Sequence, residues 1–244
     1  MISAPPAPGR IRYHAVRLFL KALCSAYVRT RVLGAERIPR RGAYIICFNH
    51  PSWLDPVFFA AFWPDRERDL YIFGPREADM GSGVRNAIIT WTRRGVPFQP
   101  HAADVIDTTR RAVSVLATGA CLAIAGEGRL SDHEGRILPL ETGLAHFARL
   151  SKAPILPVAV IGTRWISFGS RVTLRVGDAV DPADYRAGKA GAAEMTEEVE
   201  RRLQGLLEGV ANRQPPGWLG RTISEAFNDR PWLDEPERTG SKAG

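Results

Sequence analysis

The chain has 244 residues, enough for one large or two small domains with a sizeable buried core. Hydrophobic residues at 45% and charged residues at 24% exclude a mostly disordered chain, and the unperiodic spread of 23 glycines and 18 prolines excludes collagen-like and solenoid patterns. The formal net charge is +7, yet residues 1–41 hold nine Lys/Arg against the single acid Glu36, so the rest of the chain sums to −1. The basicity belongs to an N-terminal arm and points to an anionic surface.

Residues 10–30 read as one helix. Arg10, His14, Arg17, Lys21, Ser25 and Arg29 recur every three or four positions on one face, while Val16, Leu20, Leu23 and Tyr27 keep the same rhythm on the opposite face. Gly34 is the expected stop. The longest uncharged run, Ala22–Val28, is far short of the roughly 20 apolar residues of a membrane span, and charges run through any would-be signal sequence. A basic amphipathic helix suits a membrane interface, its long side chains reaching lipid phosphates. A helix packed on its own domain with a solvated basic face is the competing reading.

Beyond the arm, strands and helices alternate. Strands are predicted over Ala43–Phe48, Leu70–Phe73, Gly95–Phe98, Cys121–Ala125, Ile155–Ile161 and Val172–Val176. Helices are predicted over Val57–Trp63, Val84–Trp91, a segment marked by Val105, Ala112 and Leu116 and closed by Gly119, then Glu141–Ser151, and a last one marked by Val199, Leu203 and Val210. The alternation predicts an α/β sandwich with a mainly parallel sheet flanked by helices and preceded by the amphipathic arm. From Asn228 the chain turns polar and is broken by Pro231 and Pro236, as in a frayed tail. Cys24, Cys47 and Cys121 lie in apolar stretches without a C-x-x-C pair, so neither a disulfide framework nor a cysteine metal site is expected and a reducing compartment is favoured.

Three segments could carry chemistry. In Asn49-His50-Pro51-Ser52-Trp53-Leu54-Asp55-Pro56, a histidine leaves the end of a buried strand, where clefts form in α/β sheets. A carboxylate five residues on can hold the imidazole Nδ1–H and leave Nε2 as a general base. Asp55-Pro56 equally suits an ordinary helix start, with aspartate at the cap and proline at the first helical position. Gly126-Glu127-Gly128-Arg129 follows another buried strand, where glycines allow close backbone approach to an anion and an arginine can grip phosphate, or simply forms a solvated turn. Ile155-Leu156-Pro157-Val158-Ala159-Val160 reads as a buried strand with one kink. No Walker loop, G-x-S-x-G elbow or H-E-x-x-H pair is present, and nucleotide binding is unsupported. The near-neutral body, and a basic face without aromatic interleaving, argue against a nucleic-acid partner.

Taken in order, N-H-x-x-x-x-D, G-V-P-F, G-E-G-R-L-S and P-I-L-P-V-A-V resemble the four blocks of the glycerolipid acyltransferase family typified by bacterial 1-acyl-glycerol-3-phosphate acyltransferases. The resemblance runs from about Arg31 to Asp181 and includes the lead-in Gly34-Ala35-Glu36-Arg37-Ile38-Pro39. It implies His50 as the base on an acceptor hydroxyl and Asp55 as its orienting partner. Glu127, Gly128 and Arg129 would hold the acceptor phosphate, and the segment around Pro157 would shape the acyl-donor side. The implied reaction moves a fatty acyl chain from an acyl thioester to a lysophospholipid hydroxyl without an acyl-enzyme. The alternatives are transfer to a non-phosphate acceptor such as a glycolipid, and a non-catalytic lipid-binding protein.

Three departures from the family pattern stand out. The arginine of the usual E-G-T-R comes one place early, with Leu130 in its stead. Gln99-Pro100 replaces the arginine that usually ends the second block, with Arg93 and Arg94 upstream as substitutes. Gly126 takes the place of a frequent proline. The reading thus expects an arm over residues 1–33, an acyltransferase domain over 34–227 and a polar tail over 228–244. No metal and no cofactor are expected beyond acyl-CoA or acyl carrier protein as co-substrate. The expected location is peripheral, on the cytoplasmic face of an anionic membrane.

Overall fold

The structure, a computed structural model, describes residues 10–75, 92, 94–98 and 105–228. The helix expected over 84–91, Arg93, the Gln99-Pro100 pair and the tail beyond 228 lie outside the described residues. In chain order the elements are α1 (Arg10–Tyr27), β1 (Arg29–Leu33), β2 (Tyr44–Phe48), α2 (Asp55–Phe62), β3 (Leu70–Pro75), β4 (Gly95–Phe98), α3 (Val105–Ala117), β5 (Cys121–Ala125), α4 (Gly143–Ser151), β6 (Ile155–Ile161), β7 (Arg171–Val176), α5 (Lys189–Leu206) and α6 (Trp218–Asn228).

The seven strands among the described residues form one sheet in the order β1-β7-β6-β2-β5-β3-β4. Every neighbouring pair is parallel except β6 with β7, so β1 and β7 run against the other five. The mainly parallel α/β sandwich is therefore the observed fold. Its central strands are buried on both faces, which is why they read in sequence as continuous apolar runs. Side chains alternate across β2. Ile45 and Cys47 join Leu122, Ile155, Met195 and Val199 on one face, while Tyr44, Ile46 and Phe48 join Phe59, Trp63 and Leu156 on the other. Burying one such large apolar side chain contributes about 1.5–3 kcal/mol, so each face alone far exceeds any surface ion pair.

The arm departs from the sequence reading in three ways. The helix ends at Tyr27, and Arg29–Leu33 forms the edge strand β1, whose alternation leaves Arg29, Arg31 and Leu33 exposed and half-buries Thr30 and Val32. Leu20 is buried and Val16 and Tyr27 are half-buried against the body, with Tyr13 among them. The solvent-facing apolar stripe is a different set, Ile11 at 87% exposed, Leu18 at 71%, Phe19 at 63% and Leu23 at 57%. Leu23 thus leaves the face assigned to it from periodicity, because Cys24 one position on takes the packed position. The helix has three faces: packed, apolar to solvent, and a basic flank with His14 and Lys21.

Two further elements differ. α5 begins at Lys189, ten residues before its first marked apolar position, because its first turns bury small residues, Gly191 and Thr196, along with Met195. α6 was not predicted. It packs Gly220 and Ser224 against the loop after β6, and its Ile223 and Phe227 join Val28, Leu54 and Phe58.

Candidate active site

Strand β2 delivers Asn49 and His50 beyond its last ladder residue. β2 pairs with β6 as far as Phe48 opposite Val158, and there the Asn49 side chain extends the pairing. Its Nδ2 donates to the Val160 carbonyl at 3.0 Å, and its Oδ1 accepts from the Val160 amide at 2.7 Å. On the other side the Gly126 amide donates to Phe48 O at 3.0 Å, and the Ser131 amide donates to His50 O at 2.8 Å. The backbone that carries His50 is therefore held from both neighbouring strands.

The two readings of Asp55 separate cleanly. Leu54 occupies the cap position of α2, and Asp55 is the first helical residue, so its side chain is free of capping and turns to the histidine. Asp55 Oδ2 lies 2.8 Å from His50 Nδ1 and accepts the Ser52 amide at 3.1 Å. Asp55 Oδ1 accepts the Thr163 hydroxyl at 2.5 Å. Asp55 is completely buried and His50 nearly so, its ring set edge-on to Phe48 and Trp53. Burial pushes the Asp55 carboxyl up, while His50, the Thr163 hydroxyl and the Ser52 amide favour its anion. His50 Nε2 makes no hydrogen bond among the described residues, so the nitrogen opposite Asp55 is available to a substrate proton.

The turn after β5 comes to the same end of the sheet. Glu127 is buried, and neither carboxylate oxygen has a hydrogen-bond partner among the described residues. Burial pushes its carboxyl up to about 8. The His50 and Leu138 amides oppose this without forming bonds of ordinary geometry, and the nearby Asp55 charge adds to it. Gly128 sits at φ 65°, where a side chain would be strained, and its amide closes the turn on Ala125 O. Arg129 is exposed and free of hydrogen bonds to the described residues. A Cβ at Gly126 would lie 2.6 Å from Cys47 Sγ and 2.8 Å from Leu140 Cδ2, which accounts for the absent proline.

Not every expected residue comes here. Arg94 precedes β4 and so lies at the opposite end of the sheet from His50. It is 3% exposed, paired at 3.0 Å with Asp69 and stacked over Tyr13 and Tyr71. It ties α1 to the sheet and cannot take the place of the missing second-block arginine. Pro157 lies mid-sheet opposite Cys47, and what its block brings to the site is further on, at Val160 and Thr163. Thr163 escaped sequence reasoning, and Asn49 and Ser131 were read only as members of their blocks, without a role. The signal that could have found Thr163 is its place just past the end of β6, beside the strand that delivers His50. Among the described residues no group of three or more His, Cys, Asp or Glu could hold a metal ion.

The family model "Acyltransferase" matches residues 29–161, more than half of the chain and all four blocks. Among solved structures, the 1-acyl-sn-glycerophosphate acyltransferase PlsC from Thermotoga maritima is similar at 23% identity, with a TM-score of 0.62 over 84% of each chain. At that identity the structural likeness speaks for the fold, and the family model speaks for the sequence. With both in agreement with the ordered blocks and the sheet that presents them, this chain is an enzyme of the acyltransferase family.

Proposed function

We propose that the enzyme moves a fatty acyl chain from an acyl thioester to the hydroxyl of a lysophospholipid such as 1-acyl-glycerol-3-phosphate, with His50 as general base oriented by Asp55. The observation that carries this reading is the buried Nδ1–Asp55 contact, with Nε2 left without a partner among the described residues. Nε2 removes the acceptor hydroxyl proton as the oxygen attacks the thioester carbonyl, and Asp55 stabilises the imidazolium so formed. When the tetrahedral adduct collapses, the C–S bond breaks and the imidazolium proton passes to the departing thiolate. No acyl-enzyme is needed, in keeping with Cys47 and Cys121, whose thiols burial holds in the protonated form.

Arg129, exposed beside the site and without a hydrogen bond to any described residue, suits an acceptor phosphate, and Glu127 suits a hydroxyl near His50. Transfer to a non-phosphate acceptor such as a glycolipid is the second reading, favoured by the engagement of Arg94 elsewhere. The donor is acyl-CoA or acyl carrier protein, and no further cofactor enters the reaction. The arm over residues 1–33 is proposed to lie in the cytoplasmic interface of an anionic membrane, with the apolar stripe of α1 in the lipid and the basic flank at the headgroups. It is not a free tether, because its last five residues are strand β1. No helix among the described residues is long and apolar enough to cross a membrane.

His50→Ala tests the assignment. With acyl-CoA and a panel of lysolipids, mass spectrometry of products should show turnover reduced by about 10²–10⁴-fold or more in a folded protein. Turnover near wild type in folded H50A overturns the reading.

A further inference from the structure

The loop leaving β6 carries the hydroxyl that reaches Asp55, and a carboxylate with no part in the proposed reaction holds that loop. Glu134 is fully buried in the segment between β5 and α4. Its Oε1 accepts the amides of Gly162 and Arg164, each at 3.0 Å, the two residues that flank Thr163. Arg164 Nη1 donates back to Ser131 O at 2.9 Å, and the Ser131 amide donates to His50 O at 2.8 Å. The bonds therefore run from the His50 ring through Asp55 and Thr163 to the Glu134 segment, and return through Ser131 to the His50 backbone. Gly162 fits this path tightly, with φ at 91° and only 2.3 Å between a would-be Cβ and Arg171 O.

We propose that Glu134 and Thr163 are a positioning pair for the catalytic dyad: Glu134 fixes the backbone on both sides of Thr163, the Thr163 hydroxyl fixes the Asp55 carboxylate, and the aim of His50 Nε2 follows. A carboxylate turns readily about its last torsion, and the His50 and Ser52 bonds both fall on one oxygen. The Thr163 bond on the other oxygen sets the plane. One acceptor oxygen shared by two amides spaced i and i+2 leaves the intervening residue little freedom, and burial keeps water from replacing either bond. The pair touches no reacting atom, and the inference rests on the reading of His50 and Asp55 given above.

The experiment compares Thr163→Val, Thr163→Ser, Glu134→Leu, Glu134→Gln and the double variant T163V/E134L in full-length protein, with kcat, both KM values and the pH profile of kcat. T163V should lose about 10- to 100-fold in kcat, the loss expected when a hydrogen bond to a charged group is removed, with both KM values little changed. The acid limb of its profile should move to higher pH, because a carboxylate deprived of a donor holds its proton longer. The ionisable groups facing Asp55 are His50, Glu127 and Glu134, with Arg213 behind Glu134, and all remain in T163V. T163S should restore most of the rate.

E134L should lose kcat in the same sense, and T163V/E134L should fall little below T163V alone, since the two act through one path. E134Q keeps the accepting oxygen and should stay close to wild type, which carries the test of Glu134 if E134L fails to fold. A T163V enzyme with wild-type kcat and acid limb overturns the proposal, as do additive losses in the double variant or a loss in E134Q as deep as in T163V. If H50A itself turns over normally, the reading of the base has failed. If H50A is inactive while T163V is unaffected, only the positioning pair is refuted.

Discussion

Replacing Asp55 by asparagine separates two things a carboxylate does for a histidine, namely choosing the tautomer and stabilising the cation. The Ser52 amide donates to Oδ2, so the asparagine oxygen must take that place and its NH₂ must face Thr163, whose hydroxyl can turn to accept. The oxygen then still accepts His50 Nδ1–H, and the reactive tautomer survives. What is lost is the attraction between carboxylate and imidazolium. With charge centres about 4 Å apart and an effective dielectric of about 20, that attraction is about 4 kcal/mol, or roughly 10³-fold in rate. The amide dipole keeps part of it, so D55N should lose about 10²–10³-fold in kcat with little change in either KM. Folding should not suffer: burial raises the Asp55 pKa, its anion is costly at neutral pH, and a neutral isostere should hold or raise Tm. Thiol release from acyl-CoA and thermal unfolding measure both quantities. A folded D55N within tenfold of wild-type kcat refutes stabilisation of an imidazolium by Asp55, and a loss confined to KM refutes it equally.

Three further outcomes are expected. Glu127 is protonated in the folded enzyme up to about pH 8 and unfolded only to the ordinary glutamate range, so wild-type stability should decline as pH rises through that window. The Tm of E127Q relative to wild type should therefore rise between about pH 4.5 and 8 and level off outside, and a flat difference refutes the raised pKa. Arg129→Ala should raise the acceptor KM far more than the donor KM and leave Tm unchanged, whereas equal saturation of both substrates makes Arg129 an ordinary loop arginine. Lys21→Glu together with Phe19→Ser and Leu23→Ser should abolish flotation with anionic vesicles while activity on detergent-dispersed substrate survives. Arg17 is unsuited to that test, since its guanidinium donates to Trp63 O. Equal wild-type flotation with neutral and anionic vesicles, or none with either, refutes the interface role.

The fold was readable where a single physical cause dominated. Strands β2, β5 and β6 are buried on both faces and announced themselves as unbroken apolar runs. β1 was hidden because an edge strand carrying Arg29 and Arg31 shares its charges with the preceding helical face, and its partner β7 lies far along the chain. α6 was hidden because its buried residues are Gly220 and Ser224, while Ile223 and Phe227 alone pack an apolar edge on the body. At the site, His50 and Asp55 are five residues apart and could be paired on paper. Thr163 is 108 positions from Asp55, so only the sheet order brings the two together.

The parallel pairing of Arg29 with Arg171 also sets a timetable for synthesis. About 140 residues separate the partners, and at about 5–20 residues per second a ribosome needs roughly 7–28 s to make them. Throughout that interval β1 has no β7 beside it, and Val28 lacks Val172 and Ile166 of its cluster. The C-terminal end of α1, where Cys24 and Tyr27 pack on that cluster, then presents apolar surface that the finished sheet covers, although Arg17 further up the helix already has Trp63 to bind. Nascent chains stalled before Arg171 should therefore adsorb to lipid or chaperone more strongly than the finished enzyme, and lose that adhesion once β7 emerges and the sheet closes.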